Sequence, residues 1–333
     1  RRGDGLITLA DLGNYRVAER QAVRGTYRGF EIVSMPPPSS GGIHMIQMLN
    51  ILERFPLAEM GAGSADAIHV MAEAMKLAYA DRSKHLGDPD FYEVPADWLL
   101  SKAYAEELAA AIDLKKARPS SLIRPGVAPG PESPDTTQIS VMDRFGNVVS
   151  NAYTLNASYG SAIAVDGAGF LLNNEMDAFV AKPGVPNLFG LIGDKANAIA
   201  PGKRPLSSMT PTIVFKDSEP YLVTGSPGGS RIITTVLQQI VNVIDFDMGL
   251  ADAVAYPRFH HQWLPDEIRI EGGFSPDTLK ALAARGHVIV RKSVMGSLQT
   301  VQKRDGLFLG VSDSRRRTAG SVGLCQPRLA RSC

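Results

Sequence analysis

The stretch TGSPGGSRIITT, residues 224–235, has the residue types of an anion-binding turn. A predicted strand ends there, Gly228 and Gly229 follow, and a helix begins that Ser230 can cap. Consecutive backbone N–H groups at a helix N-terminus attract negative charge, either a phosphate or the oxyanion of an acyl-transfer intermediate. A phosphate-binding P-loop has a lysine after its glycines, and none follows here. The sequence therefore leaves two main interpretations, an oxyanion hole and an ordinary turn that needs glycine.

An oxyanion hole needs a nucleophile, and the familiar candidates are poorly represented. No G-x-S-x-G elbow occurs, both cysteines lie in the last nine residues, and the six histidines show no HExxH spacing. The adjacent threonines of PDTTQISV are a further candidate, because a chain cut before Thr136 would place its new α-amine beside its own hydroxyl. An α-amino group has a pKa of about 7.7–8.0 and can act as a base near neutral pH. Threonines also favour strands without any catalytic role, so this pair alone decides nothing.

Hydrophobic periodicity places these stretches on a mixture of strands and helices. Hairpins are predicted for residues 25–35, 136–156, 210–225 and 301–313, and a short strand for residues 169–174. Helices are predicted for residues 43–55, 64–87, 98–114, 230–245 and 276–285. Runs of strands separated by pairs of helices indicate a layered α+β fold.

The segment 115–135 is the strongest candidate boundary in the chain. It contains five prolines and two glycines, has no periodicity, and ends at the threonine pair. Such segments are usually linkers, lids or disordered loops. The sequence therefore predicts a division into residues 1–135 and residues 136–314, followed by an atypical tail over residues 315–333.

Composition excludes several classes of function. The net charge of +1 gives no reason to expect binding to nucleic acid or to an anionic membrane surface. No apolar run is long enough to span a bilayer. The first 324 residues contain no cysteine, which excludes a disulfide framework there and fits an oxidising compartment. The chain begins without methionine and looks like the interior of a longer protein, so a targeting segment could lie upstream.

Six longer motifs together resemble the γ-glutamyltranspeptidase family of N-terminal-nucleophile hydrolases. In chain order they are DTTQISVMDRFGNVVSNAYTLN, GFLLNNEMDAF, AKPGVPN, KRPLSSMTPTIV, LVTGSPGGSRIITTVLQ and PRFHHQWLPDE. The resemblance extends from Leu6 to about Ser314 and covers the end of a large subunit and nearly all of a small one. It implies a self-cleaving precursor whose two subunits pack as one four-layer αββα sandwich. It also implies a reaction without a metal or an organic cofactor.

The resemblance implies which residues are catalytic. Thr136 matches the nucleophile, which attacks the carbonyl group of Asp135 during self-cleavage and afterwards uses its new α-amine as a base. Thr154 matches the residue that hydrogen-bonds this nucleophile. Gly228 and Gly229 match the oxyanion hole, where the loss of one donor typically lowers the rate by about 10²–10³.

Substrate contacts are implied in the same way. Asn156 and Glu175 match residues that contact the α-amino end of the substrate. Ser207 and Ser208 match donors to its α-carboxylate. The family often has a second aspartate where this chain has Ala178, so we expect weaker recognition of the substrate's ammonium group.

Other positions depart from the family pattern. Phe189 stands where many members have a tyrosine that could latch the lid AKPGVPNLFG, and Gln138 replaces a frequent histidine. The tail after residue 314 does not resemble the family's end. The family's carboxylate-binding arginine would lie upstream of residue 1.

The resemblance predicts a γ-glutamyltransferase that also hydrolyses glutathione. Its donors would be glutathione or other γ-glutamyl compounds, and its acceptors would be water or the amines of amino acids and peptides. Its location would be the bacterial periplasm or the outside of the cell. Two alternatives stay open: a related amidase such as a glutaryl or cephalosporin acylase, and an unprocessed remnant without activity.

Overall fold

The computed structural model describes residues 7–123 and 136–324, and its mixture of helices and antiparallel sheets confirms the α+β class. The strands are β1 (Val23–Tyr27), β2 (Phe30–Ser34), β3 (Thr137–Met142), β4 (Val148–Tyr153), β5 (Thr212–Lys216), β6 (Glu219–Thr224), β7 (Phe259–His260), β8 (Ile268–Ile270), β9 (Ile289–Arg291), β10 (Gln299–Arg304) and β11 (Leu307–Ser312). The α-helices are α1 (Leu9–Asn14), α2 (Gly41–Leu52), α3 (Leu57–Met60), α4 (Ala65–His85), α5 (Ala96–Leu99), α6 (Lys102–Ala110), α7 (Arg231–Ile244), α8 (Leu250–Ala255) and α9 (Pro276–Ala284).

The central element is a six-stranded antiparallel sheet in the order β1-β2-β5-β6-β10-β11. It contains three of the predicted hairpins, those over residues 25–35, 210–225 and 301–313. β1 and β2 precede Thr136, whereas the other four strands follow it. A cut before Thr136 would therefore leave two polypeptides joined by the backbone hydrogen bonds between β2 and β5.

Helices cover one face of this sheet. α2 packs against β1, β2, α4 and α7, and every residue of α2 is buried. The α7 side chain of Gln239 hydrogen-bonds Thr300 of β10, which places α7 on the sheet as well. The helix predicted over residues 98–114 is instead divided into α5 and α6, because Ser101 Oγ accepts from Tyr104 N at 3.2 Å and caps a new helix.

A second sheet, formed by β3 and β4, packs against β5, β6 and β10 with the face that carries Ser140 and Ser150. Ser140 Oγ donates to Gln299 O, and Ser150 Oγ donates to Thr224 O, each at 2.8 Å. Four large hydrophobic side chains on the other face of this hairpin are exposed: Ile139, Val141, Val149 and Tyr153. The predicted hairpin is confirmed, and the described residues supply three layers of the sandwich, namely the helices, the central sheet and this second sheet.

The strand predicted over residues 169–174 is wrong. Within the described residues its pairing is one isolated bridge, between Leu171 and Ala164, flanked by backbone hydrogen bonds of Phe170 and Leu172 with the loop 161–165. Gly167 and Gly169 both have positive φ, at 76° and 73°, which bends the backbone away from extended geometry. The apolar residues that suggested a strand therefore lie on an irregular loop.

The beginning of the predicted linker is docked on the protein body. Lys76 Nζ donates to Arg118 O at 2.6 Å, and Trp263 Nε1 donates to Ser120 O at 3.0 Å. Ser120 N also donates to Asp266 Oδ2 at 2.8 Å. Residues 115–123 are therefore not a disordered loop, whereas the linker and lid interpretations and the boundary itself stay predictions. Residues 124–135, including Asp135, and residues 325–333, including both cysteines, lie outside the described residues.

His44 in α2 predicts how stability depends on pH. It is fully buried, and burial lowers the pKa of its imidazole to about 3, whereas the unfolded chain titrates near 6.5. The unfolded state therefore binds more protons below pH 6.5, and stability is lost as the pH falls. We expect His44→Gln to remove about 2 kcal/mol of the decrease in unfolding free energy between pH 7 and pH 5, measured by denaturant titration. His85→Gln, at a half-buried position, should change this decrease less, and equal effects would contradict the prediction.

Candidate active site

The predicted site residues come together in one pocket beside the start of β3. The chain distances are large, yet seven of the eight predicted residues line it: Thr136, Thr154, Asn156, Glu175, Ser207, Ser208 and Gly229. Gly228 precedes Gly229 in the same turn. Because β3 begins at residue 137, the rigid sheet fixes the position of Thr136, which is 8% exposed. Their catalytic and binding roles stay predictions.

A chain of hydrogen bonds links the Thr136 hydroxyl to a carboxyl group. Thr136 Oγ1 donates to Thr154 Oγ1 at 3.3 Å, and the Thr154 hydroxyl in turn hydrogen-bonds the Glu175 side chain. Asn156 N also donates to Thr154 Oγ1, at 2.9 Å. Burial raises the pKa of the Glu175 carboxyl, the Thr154 hydrogen bond opposes this, and the nearby Asp177 charge adds to the increase. The hydrogen bonds therefore orient the Thr136 hydroxyl and place the Glu175 carboxyl at the other end of the same chain of hydrogen bonds.

The Asp177 side chain binds the loop that contains Leu188, whereas Ala178 lines the pocket. The Asp177 carboxylate accepts hydrogen bonds from Leu188 N at 3.1 and 3.2 Å and from Asn156 Nδ2 at 3.5 Å. Ala178 lies among the residues that line the pocket, whereas Asp177 does not. The pocket therefore has a methyl group at the position where the family often has a carboxylate.

The glycine turn before α7 has backbone angles that favour glycine. Gly228 and Gly229 have positive φ, at 144° and 57°, and α7 begins two residues after Gly229. Neither of their N–H groups donates a backbone hydrogen bond to another described residue. A Cβ atom on Gly229 would lie 2.5 Å from the ring of Phe189, which packs against this turn. The arrangement can present backbone donors to an oxyanion in the pocket.

The predicted N-cap of α7 is wrong. Ser230 has helical φ and ψ of −58° and −28°, and its side chain does not cap the helix. Its Oγ donates instead to Gln262 Oε1 at 2.8 Å, because a neighbouring buried segment offers an acceptor. The helix terminus is therefore not closed by its own side chain, which suits an anion-binding role.

Arg82 is a pocket residue that the sequence reasoning missed. It lines the pocket from the last turn of α4 and donates from Nη2 to Ser208 Oγ at 3.1 Å. A signal was available, because Met71, Met75 and Ala78 mark the apolar face of this helix and position 82 continues it. An arginine on a buried helix face needs a specific partner or a specific role.

One group of metal-type ligands occurs in the described residues, formed by His69, Glu73 and His287. The two histidines contact each other, and Glu73 forms an ion pair with a lysine. His69 Nδ1 lies 2.7 Å from His287 Nε2, and Lys76 Nζ lies 2.5 Å from Glu73 Oε1. None of the three lines the pocket, and we assign no metal to them.

The layered α+β fold, with Thr136 directly before β3 and the glycine turn in the same pocket, is that of the N-terminal-nucleophile hydrolases. The family model described as gamma-glutamyltranspeptidase matches residues 1–323, and the chain belongs to that family. The glutathione hydrolase proenzyme of Escherichia coli (strain K12) is 58% identical over 312 residues, which are 93% of this chain and 54% of that relative.

Solved structures agree with this assignment. A γ-glutamyltranspeptidase variant from Helicobacter pylori matches with 58% identity and a TM-score of 0.53, over 54% of this chain and 100% of that chain. The cephalosporin acylase from Bacillus halodurans matches with 27% identity and a TM-score of 0.77, over 93% of this chain and 54% of that chain. The chain therefore spans about half the length of the curated relative it matches.

Proposed function

We propose that the protein carrying this chain is a γ-glutamyltransferase and glutathione hydrolase with Thr136 as its nucleophile. The observation that carries the proposal is the position of Thr136, buried at the start of β3 with Oγ1 3.3 Å from Thr154 Oγ1. It shares its pocket with Gly229 and with Ser207 and Ser208. Membership of the γ-glutamyltranspeptidase family supports the same reaction.

Maturation is proposed to divide the chain before Thr136. The Helicobacter pylori chain supports this division. It is matched over its whole length by 54% of the present chain, and residues 136–314 also make up 54% of the present chain. The Thr136 hydroxyl attacks the carbonyl carbon of Asp135, the peptide nitrogen leaves with a proton, and water hydrolyses the resulting ester. Residues 1–135 become the end of a large subunit and residues 136–314 the small subunit, which stay joined through the central sheet.

In the mature enzyme, the same hydroxyl attacks the γ-carbonyl carbon of the substrate. The α-amine of Thr136 accepts the hydroxyl proton and returns it to the departing amine. The negative charge on the tetrahedral intermediate lies against the N–H groups of Gly228 and Gly229. Water or the amine of an amino acid or peptide then attacks the γ-glutamyl ester and restores the free threonine.

The pocket offers matching contacts for the glutamyl group. Asn156 and the Glu175 carboxyl lie near Thr154 and would bind the α-amino group. Ser207 and Ser208 lie on the loop before β5 and would bind the α-carboxylate. Glutathione is the substrate that we propose, since a glutathione hydrolase proenzyme is 58% identical.

The exposed apolar face of β3 and β4 is proposed to contact the part of the protein that this chain does not contain. Ile139, Val141 and Val149 are each about half exposed, which is unfavourable for neighbouring apolar side chains in water. A layer over this face would complete the four-layer sandwich.

No helix of the described residues is long and apolar enough to cross a membrane. We propose a periplasmic or secreted location in a bacterium.

A glutaryl or cephalosporin acylase is the second candidate function. Ala178 in the pocket supports it, because a glutaryl group has no ammonium group to bind. The structural similarity to a cephalosporin acylase points in the same direction. The test is the hydrolysis of γ-glutamyl p-nitroanilide and glutaryl p-nitroanilide by the full-length protein. A higher kcat/KM for the γ-glutamyl amide supports the transferase, and the opposite order supports the acylase.

Ala178→Asp should strengthen the preference for γ-glutamyl substrates. A carboxylate at this position would face the pocket and attract the α-ammonium group. We expect kcat/KM for the γ-glutamyl amide to increase by about tenfold relative to the glutaryl amide, corresponding to about 1.4 kcal/mol. Met176→Asp, at an exposed neighbouring position, is the control for added charge. An equal effect of both variants would contradict a pocket contact.

A further inference from the structure

Arg82 is a buried cation without an acidic partner in the described part of the chain. It is 5% exposed, and no carboxylate of residues 7–123 or 136–324 contributes to its charge environment or forms an ion pair with it. Buried charges are normally paired, because removal of an ion from water is strongly unfavourable. An anion that enters the pocket from solvent would supply the missing charge.

The hydrogen bonds of Arg82 fix the loop that carries the predicted carboxylate donors. Its Nε donates to Ser40 Oγ at 2.9 Å, and its Nη2 donates to Ser208 Oγ at 3.1 Å. Ser40 Oγ in turn donates to Ser207 O at 2.8 Å. One guanidinium group therefore joins residues from both sides of the proposed cleavage site.

These contacts also leave useful donors. Since Ser208 Oγ accepts from Arg82, the hydrogen of the Ser208 hydroxyl is available for another acceptor. Arg82 Nη1 donates no hydrogen bond to any other described residue. Arg82, Ser208 and Thr136 line the same pocket, so an anion near Ser208 would also lie close to the nucleophile.

The charge of Arg82 persists under working conditions. Burial lowers the pKa of its guanidinium group to about 10, which leaves the group protonated at neutral pH. The low effective dielectric of a buried site strengthens attraction to an opposite charge. The group is thus both charged and weakly screened where a substrate carboxylate would lie.

We propose that Arg82 determines specificity for the α-carboxylate of the substrate, by attracting it electrostatically and by orienting the Ser208 hydroxyl toward it. This inference rests on the proposed function, because it names the substrate group that the pocket binds. It assigns to this chain a positive group for the carboxylate in addition to any that the rest of the protein supplies.

The test compares two substrates in wild-type and R82Q forms of the full-length protein. γ-Glutamyl p-nitroanilide and 4-aminobutyryl p-nitroanilide differ only in the α-carboxylate. We expect R82Q to raise KM for the γ-glutamyl substrate by about 10- to 100-fold, with a smaller change in kcat, because a charge-assisted contact is lost. KM for the 4-aminobutyryl substrate should change little. If the 4-aminobutyryl substrate is cleaved too slowly for KM to be measured, its affinity is measured instead as its inhibition constant in the cleavage of the γ-glutamyl substrate.

R82K keeps the positive charge and loses at least one serine contact, and its selectivity should lie between wild type and R82Q. A denaturing gel shows whether R82Q matures, and circular dichroism shows whether it folds. If R82Q does neither, the selectivity of R82K between the two substrates tests the inference. An equal loss on both substrates, or an unchanged ratio between them, would overturn the inference. If the wild-type protein cleaves neither substrate, the proposed function itself is wrong.

Discussion

Thr136→Ala should give a single uncut polypeptide on a denaturing gel and no measurable turnover of γ-glutamyl p-nitroanilide. The methyl side chain has no oxygen to attack the carbonyl group of Asp135, so the new α-amine is never formed. Loss of a nucleophile of this kind lowers the rate by as much as about 10⁶. In the wild-type protein, by contrast, N-terminal sequencing of the C-terminal fragment should read Thr-Thr-Gln.

Two control variants make this result specific. Thr136→Ser keeps a hydroxyl group at the same position and should still mature and turn over substrate. Thr137→Ala changes the neighbouring threonine, whose side chain is exposed, and should cleave at the same bond. If the Thr136→Ala variant is still cleaved between residues 135 and 136, the nucleophile is misassigned. An intact wild-type chain without activity would instead support the unprocessed remnant.

Gly229→Ala is expected to lower kcat by about 10²–10³ while KM changes less. The added Cβ would lie 2.5 Å from the Phe189 ring, and φ at this position is 57°, a region that residues with a side chain rarely adopt. The Phe189 ring or the turn must shift, and the strain at this φ favours a shift of the turn, which moves its N–H away from the developing oxyanion. Steady-state kinetics on the γ-glutamyl amide measures the effect, because the donor acts mainly in the transition state.

Gly306→Ala is the matched control for this substitution. Gly306 also has a positive φ, at 76°, but it lies in the turn between β10 and β11, and no atom lies within 4 Å of an added Cβ. Its backbone strain should reduce stability without reaching the pocket. A similar fall in kcat for both variants would mean that general destabilisation, and not the loss of an oxyanion donor, explains the Gly229 result.

In the second sheet, the alternation of apolar and polar residues predicts the strand but not which face of the strand packs inward. Alternation in β3 predicted a strand with apolar residues at positions 139 and 141, and this strand exists. Alternation separates two faces but does not say which of them packs inward. Here the polar residues Ser140 and Ser150 face the central sheet through hydrogen bonds to Gln299 O and Thr224 O. Only the position of the neighbouring strands decides this orientation.

The two corrected elements have a similar origin. Ser230 precedes a strong helical pattern, which predicts an N-cap, yet Gln262, 32 residues later, offers its side chain a buried acceptor. Residues 169–174 contain apolar residues suited to a strand, yet in the described part of the chain they pair only with the loop 161–165, through one bridge and a few backbone hydrogen bonds. Local propensity is a weak constraint when a distant group competes for the same hydrogen bond.

The amino-acid sequence by itself determined the local features: the hairpins, the main helices, the glycine turn before α7 and the threonine at the start of β3. Each depends on neighbouring residues and on backbone preferences that a short segment carries with it. The tertiary structure decided which of these features meet. Arg82, Ser40 and Ser208 are far apart in the chain, and their hydrogen bonds exist only because α4 and two loops pack around one pocket. The role that we propose for Arg82 depends on the groups around its guanidinium, and tertiary packing determines which groups those are.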